Sequence, residues 1–159
     1  MLKKKLIVFG VLTALILSVL GGFLFKSKPE IKDQPSIKDI FRNSIPSVDF
    51  TIYYPATIPL NYSVNTDSIR AQHDLFNFSI KTSGQNDIIV TEQKLPPTME
   101  EVTKTKEFVT DIGQAYIADL NGKVTGFIRT KGTLVIISNA DKSQSTQLEE
   151  LLINFALVK

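Results

Sequence analysis

Residues 6–25 read LIVFGVLTALILSVLGGFLF, twenty positions without a charged side chain, in which Thr13 and Ser18 are the most polar members. At 1.5 Å of rise per helical residue, about 20 apolar residues cross a hydrocarbon core of about 30 Å. Lys3, Lys4 and Lys5 precede it, whereas Lys26 and Lys28 beyond it are diluted by Glu30 and Asp33. That excess of positive charge places the N-terminus in the cytoplasm and the body of the chain outside. The competing reading is a cleaved secretory signal, which has the same charged start. Its apolar region is normally about 7 to 15 residues and ends at an A-x-A-like site. Here the run is longer, and its best pair of small residues is Val19 with Gly21. The sequence therefore predicts a cytoplasmic stub over 1–5 and an uncleaved, single-pass membrane anchor over 6–25.

The same three lysines explain the net charge of +2, which comes from 18 basic and 16 acidic side chains in 159 residues. All sixteen carboxylates follow the apolar run, so from Lys26 onward 15 basic residues face 16 acidic ones. A near-neutral body argues against a nucleic-acid partner, which would require a surplus of Lys and Arg to displace counterions. The absence of Cys removes disulfides, thiolate metal sites and a cysteine nucleophile. The length fits one domain of about 100 to 150 residues with an appendage.

Residues 26–47 (KSKPEIKDQPSIKDIFRNSIPS) combine Pro29, Pro35 and Pro46 with many charges and read as an extracytoplasmic stalk. Within it, Ser36 is placed to cap a short helix carrying Ile37, Ile40 and Phe41 on one face, the alternative to a solvated spacer. From Val48 the period becomes two: Val48, Phe50, Ile52 and Tyr54 alternate with Asp49, Thr51 and Tyr53, which predicts a half-buried strand. A weaker strand over 62–69 follows, then one containing Phe76, Phe78 and Ile80, and another over 87–94 after a Ser83-Gly84-Gln85-Asn86 turn. Thr98 with Glu101 fits a capping box, predicting a short helix that ends near Phe108. Strands over 114–120 and 124–130 flank Asn121-Gly122, a strong hairpin signal, and a third over 133–138 is apolar on both faces and hence central. Leu148, Leu151, Leu152 and Phe155 recur at helical spacing in a final helix over 143–157. The expected fold over 48–159 is α+β: an antiparallel sheet of six or seven strands, with a short helix and a C-terminal helix packed on one face.

Motifs that carry chemistry are scarce. No Gly-rich phosphate loop follows a strand, no G-x-S-x-G elbow occurs, and the single histidine, His73, lies in a polar stretch and cannot build a His-based metal site. Glu100 and Glu101, like Glu149 and Glu150, are adjacent, and neighbours on a helix diverge by about 100° rather than converging on one substrate. Asp111 and Asp119 fall near turns. No catalytic, metal or cofactor site is therefore expected. The sequons Asn61-Tyr62-Ser63 and Asn77-Phe78-Ser79 are triplets short enough to arise by chance. The most binding-like residues are Tyr53, Tyr54, Tyr62 and Tyr116, joined by the prolines of PATIPLNY, since aromatic rings and prolines on a rigid edge form grooves. The plainer reading is that each ring caps the core with its hydroxyl in water.

The stretches YYPATIPLNYSV, DIIVTEQKLPP, AYIADLNGKVTGFIRTKGTLVIIS and TQLEELLINF together resemble small extracytoplasmic domains of single-span bacterial membrane proteins, some of them attached to anti-sigma or sporulation proteins. The resemblance spans about 50–159, and no functional residues are carried over because none of its marks is catalytic. Five residues precede the anchor, so the cytoplasmic part is expected to be too short for a sigma-factor-binding domain. The expectation is a non-enzymatic module at the cell membrane that binds an envelope or membrane protein, a peptide or another envelope ligand. The alternative is an accessory subunit of a membrane complex, and an unrecognised enzyme ranks below both.

Overall fold

The structure, a computed structural model, describes residues 36–158 apart from 85 and 100. The expected stub, anchor and first half of the stalk lie outside the described residues.

A short helix, α1 (Ile37–Arg42), opens the body, with Ser36 as its cap: the Asp39 N–H donates to Ser36 Oγ at 3.2 Å. Its Phe41 ring is fully buried, edge-on to Phe78 at 4.7 Å and to Phe76 at 5.3 Å. The docked alternative, not the solvated spacer, thus describes this segment, and the folded body starts upstream of Val48. A 3-10 turn over Ile45–Ser47 leads to β1 (Tyr53–Pro55), which is much shorter than the strand predicted from Val48. Val48 and Phe50 do pack against the core, so the alternation reported burial without a ladder.

Seven strands make the main sheet: β2 (Ser63–Gln72), β3 (Leu75–Lys81), β4 (Ile88–Lys94), β5 (Lys104–Thr110), β6 (Gly113–Leu120), β7 (Lys123–Arg129) and β8 (Thr133–Ala140). They pair antiparallel throughout, in the order β2-β3-β4-β8-β7-β6-β5. Two meanders, β2–β4 and β5–β8, therefore meet along one seam between β4 and β8. The β6–β7 turn is built by Asn121 and Gly122, whose φ angles of 54° and 78° suit the left-handed conformations of a tight hairpin. Helix α2 (Ser145–Ile153) buries Leu148, Leu151 and Leu152 on the inner face of the sheet. It stops earlier than predicted: the Asn154 N–H donates to the carbonyls of Glu150 and Leu151, and Phe155 enters a strand, β9 (Phe155–Leu157), that pairs with β1. Phe155 is nevertheless buried at 2% exposure, so helical spacing found the right apolar residue in the wrong element.

Among the described residues, no helix follows Thr98 before β5, where the sequence predicts one. Residues 95–99 and 101–103 belong to an irregular strap, and β5 begins at Lys104. Pro96 and Pro97 bias the residues before them away from helical backbone, and the β-branched Thr105, Val109 and Thr110 favour a ladder. Pairing with β6 then outcompetes a helix too short to be stable alone.

The strap exists because of the strand order. From β4 the chain must pass β8, β7 and β6 to reach β5, four strand spacings or about 19 Å. Nine residues fully extended would reach up to about 30 Å, so the link between β4 and β5 is long enough to cross with slack. On the outer face Leu95, Met99 and Val102 pack on a second cluster formed by Tyr116, Ala118, Phe127 and Leu134. The apolar residues on both faces of β8 are thus satisfied by α2 on one side and by the strap on the other.

Candidate functional site

The four tyrosines do not form one surface. Tyr53, Tyr54 and Tyr62 pack against the inner core, whereas Tyr116 belongs to the outer cluster. Tyr53 lends its backbone N–H to Glu92, Tyr54 lies 6.4 Å from Phe41, and the Tyr62 hydroxyl accepts from Gln144 Nε2 at 3.2 Å. These three rings pack against the core, and the Tyr62 hydroxyl is held by Gln144. Tyr116 lines a cavity.

That cavity, about 440 Å³, lies between strap and sheet. Pro96, Pro97, Met99 and Val102 of the strap supply an apolar wall, with Glu101 beside them. The floor comes from three strands whose alternation points the relevant side chains outward: Lys104 and Glu107 of β5, Gln114 and Tyr116 of β6, and Arg129 of β7. The Tyr116 ring stacks on Phe127 at 4.7 Å and 14°, and Lys104 Nζ stands 5.1 Å from its centroid. This cation–π contact and the stack fix the ring in place. Burial pushes the Tyr116 hydroxyl above its ordinary pKa, with Lys104 and Arg129 acting in the opposite sense. It is therefore a protonated hydrogen-bond donor at neutral pH.

The cations are not equivalent. Lys104 Nζ donates to Glu107 Oε1 at 2.8 Å, and Gln114 Nε2 donates to the same oxygen at 2.7 Å, so Glu107 is engaged twice. Arg129 is exposed and has no carboxylate partner among the described residues. It also lines a second cavity of about 490 Å³ at the foot of the sheet, where the β5–β6 and β7–β8 turns lie side by side. Gln114 is shared by both cavities as well. A close backbone approach builds this junction: a Cβ on Gly113 would stand 2.2 Å from the Arg129 carbonyl oxygen.

The other polar residues singled out in the sequence do not converge. His73 lies in the β2–β3 turn with its side chain 84% exposed, 3.5 Å from Asp49. Glu149 pairs with Lys106 at 2.6 Å, while Glu150 is exposed. The hydrogen bond from Lys142 holds the Asp119 carboxyl below its usual range. Asp111 lines the second cavity. Among the described residues, no group of three or more His, Asp or Glu is placed to hold a metal ion. The strongest internal anomaly is Glu92 of β4, fully buried on the inner face. Its Oε2 accepts the Tyr53 N–H at 2.9 Å, and Oε1 has no hydrogen-bond partner among the described residues.

Comparison with protein-family models, with curated proteins and with solved structures finds no match to this chain. Sequence reasoning reached Tyr116 but missed Arg129, Gln114 and the strap. A usable signal was present: Tyr116, Phe127, Leu134 and Ile136 share the parity opposite to the helix-facing residues, so something other than a helix had to cover them.

Proposed function

We propose that the folded body is a non-enzymatic binding module, tethered by residues 6–25 at the outer side of a membrane, and that the cleft beneath the strap receives its ligand. The observation carrying this reading is the cleft itself. It has about 440 Å³ of space, within the ordinary range of ligand sites, and joins an apolar wall to a fixed aromatic ring and a guanidinium without a carboxylate partner among the described residues. The uncharged run and the lysines ahead of it support the tether, and the resemblance to extracytoplasmic modules points the same way. An accessory-subunit role would instead need a contiguous apolar patch. The two most exposed apolar side chains, Leu60 at 88% and Val109 at 83%, lead into β2 and lie on β5, the two opposite edges of the sheet.

The test is site-specific photocrosslinking of the full chain in its own membranes. A benzophenone-bearing amino acid at position 114, in the cleft, should yield a discrete adduct on illumination. The same group at position 81, on β3 far along the sheet, should not. Equal labelling from both positions, or none from position 114, rejects the cleft as the binding site.

A further inference from the structure

The position of Arg129 narrows the ligand further, given the cleft reading above. Arg129 lines both cavities, of about 440 and 490 Å³, and no carboxylate among the described residues forms an ion pair with it. Every other cation bordering the first cavity is engaged, since Lys104 is bonded to Glu107. Because Arg129 and Gln114 line both cavities, an anionic group paired with Arg129 has space on two sides. The two flanks differ in chemistry. On the strap side the wall is Pro96, Pro97, Met99 and Val102, and Glu101 beside them repels a second acid. On the other side Thr110 and Thr130 border the second cavity, with Asp111 and Lys131 of opposite sign. A small molecule with one acidic end would leave one flank empty. A chain with side chains at regular intervals fills both.

We propose that the cleft binds an extended peptide segment whose Asp or Glu side chain pairs with Arg129, with an apolar residue beneath the strap and a polar one beside Thr110 and Thr130. Guanidinium and carboxylate meet through two parallel hydrogen bonds, a geometry that a Lys at this position would not reproduce. The protonated Tyr116 hydroxyl is a further donor in the same cavity. The sequence order read along the groove is apolar, acidic, polar.

The experiment uses the full chain in lipid nanodiscs and a pool of terminally blocked hexapeptides containing all residue types except Cys, with retained peptides identified by mass spectrometry. Retention should favour Asp and Glu over Asn and Gln by about tenfold, the value of a charge-assisted pair, with an apolar residue on one side of the acid. Arg129→Gln should abolish that preference while leaving the melting temperature unchanged, and Arg129→Lys should restore it only in part. Wild-type protein that retains peptides without preferring acids overturns the proposal, as does a preference that survives Arg129→Gln. If no peptide is retained while the crosslink from position 114 still forms, the occupant is not a peptide: this proposal falls and the cleft reading stands. Loss of both rejects the two together.

Discussion

Glu92 is a fully buried acid with no ion-pair partner among the described residues. Its neighbours across the ladder are Phe76 and Val135, and its one hydrogen bond comes from a backbone N–H. Burial pushes its pKa well above the ordinary 4.5, with the Tyr53 N–H acting weakly in the opposite direction. The folded chain therefore holds a proton that the unfolded chain releases. The group's favourable contribution is complete below about pH 4.5 and declines as pH rises towards the raised folded value, at up to about 1.4 kcal/mol per pH unit. Urea unfolding of the full-length protein in detergent should show wild type losing stability between pH 5 and 8 relative to Glu92→Gln. The amide variant should be the more stable one at pH 8, and the difference should shrink or reverse near pH 4. Parallel curves would show that Glu92 is charged in the fold. Gly113 offers a second test at this scale. Gly113→Ala should cost on the order of 2 kcal/mol or more, because its Cβ would meet a backbone carbonyl that cannot swing away. Gly132→Ala, with nothing within 4 Å, should change the melting temperature by no more than a degree or two.

Among the elements, those set by a repeating pattern were legible and those set by a partner were not. Phe76, Phe78 and Ile80 of β3 alternate cleanly, and Asn121-Gly122 fixes its hairpin by dihedral preference alone. Leu148, Leu151 and Leu152 mark the buried stripe of α2. In contrast, Thr98 and Glu101 carry a helix-start signature that is overruled because β6 offers residues 104–110 a full ladder. Phe155 follows the helical rhythm of α2, yet β1 captures it 100 residues away in sequence, opposite Pro55. Local signals lose wherever a distant strand has open hydrogen-bonding groups. The cleft was hidden for the same reason, since its wall and floor meet only through the strap's crossing. The two-sided core makes a matched prediction. Leu152→Asp, under α2, and Leu134→Asp, under the strap, should each unfold the body, as both side chains are at most 4% exposed. Lys131→Asp, in an exposed turn, should melt like wild type. Coincident melts for all three would contradict the outer cluster.

For the whole molecule, the proposed membrane attachment has a direct consequence for cells. Protease added from outside should remove the folded body and leave the anchor in the membrane. Recovery of the body only as a soluble fragment beginning near Gly22 would instead favour a cleaved signal. The seam between β4 and β8 has a consequence of another kind, in time. Within each meander every pairing joins strands close in sequence, whereas β4 and β8 join residues such as Val90 and Ile137 across the whole second meander. Closing that loop carries the largest entropic cost of any ladder in the sheet. The two halves should thus gain structure on their own and wait for one another. Pulse-labelled amide exchange during refolding is then expected to protect β6 and β7 early, and the β4–β8 amides last.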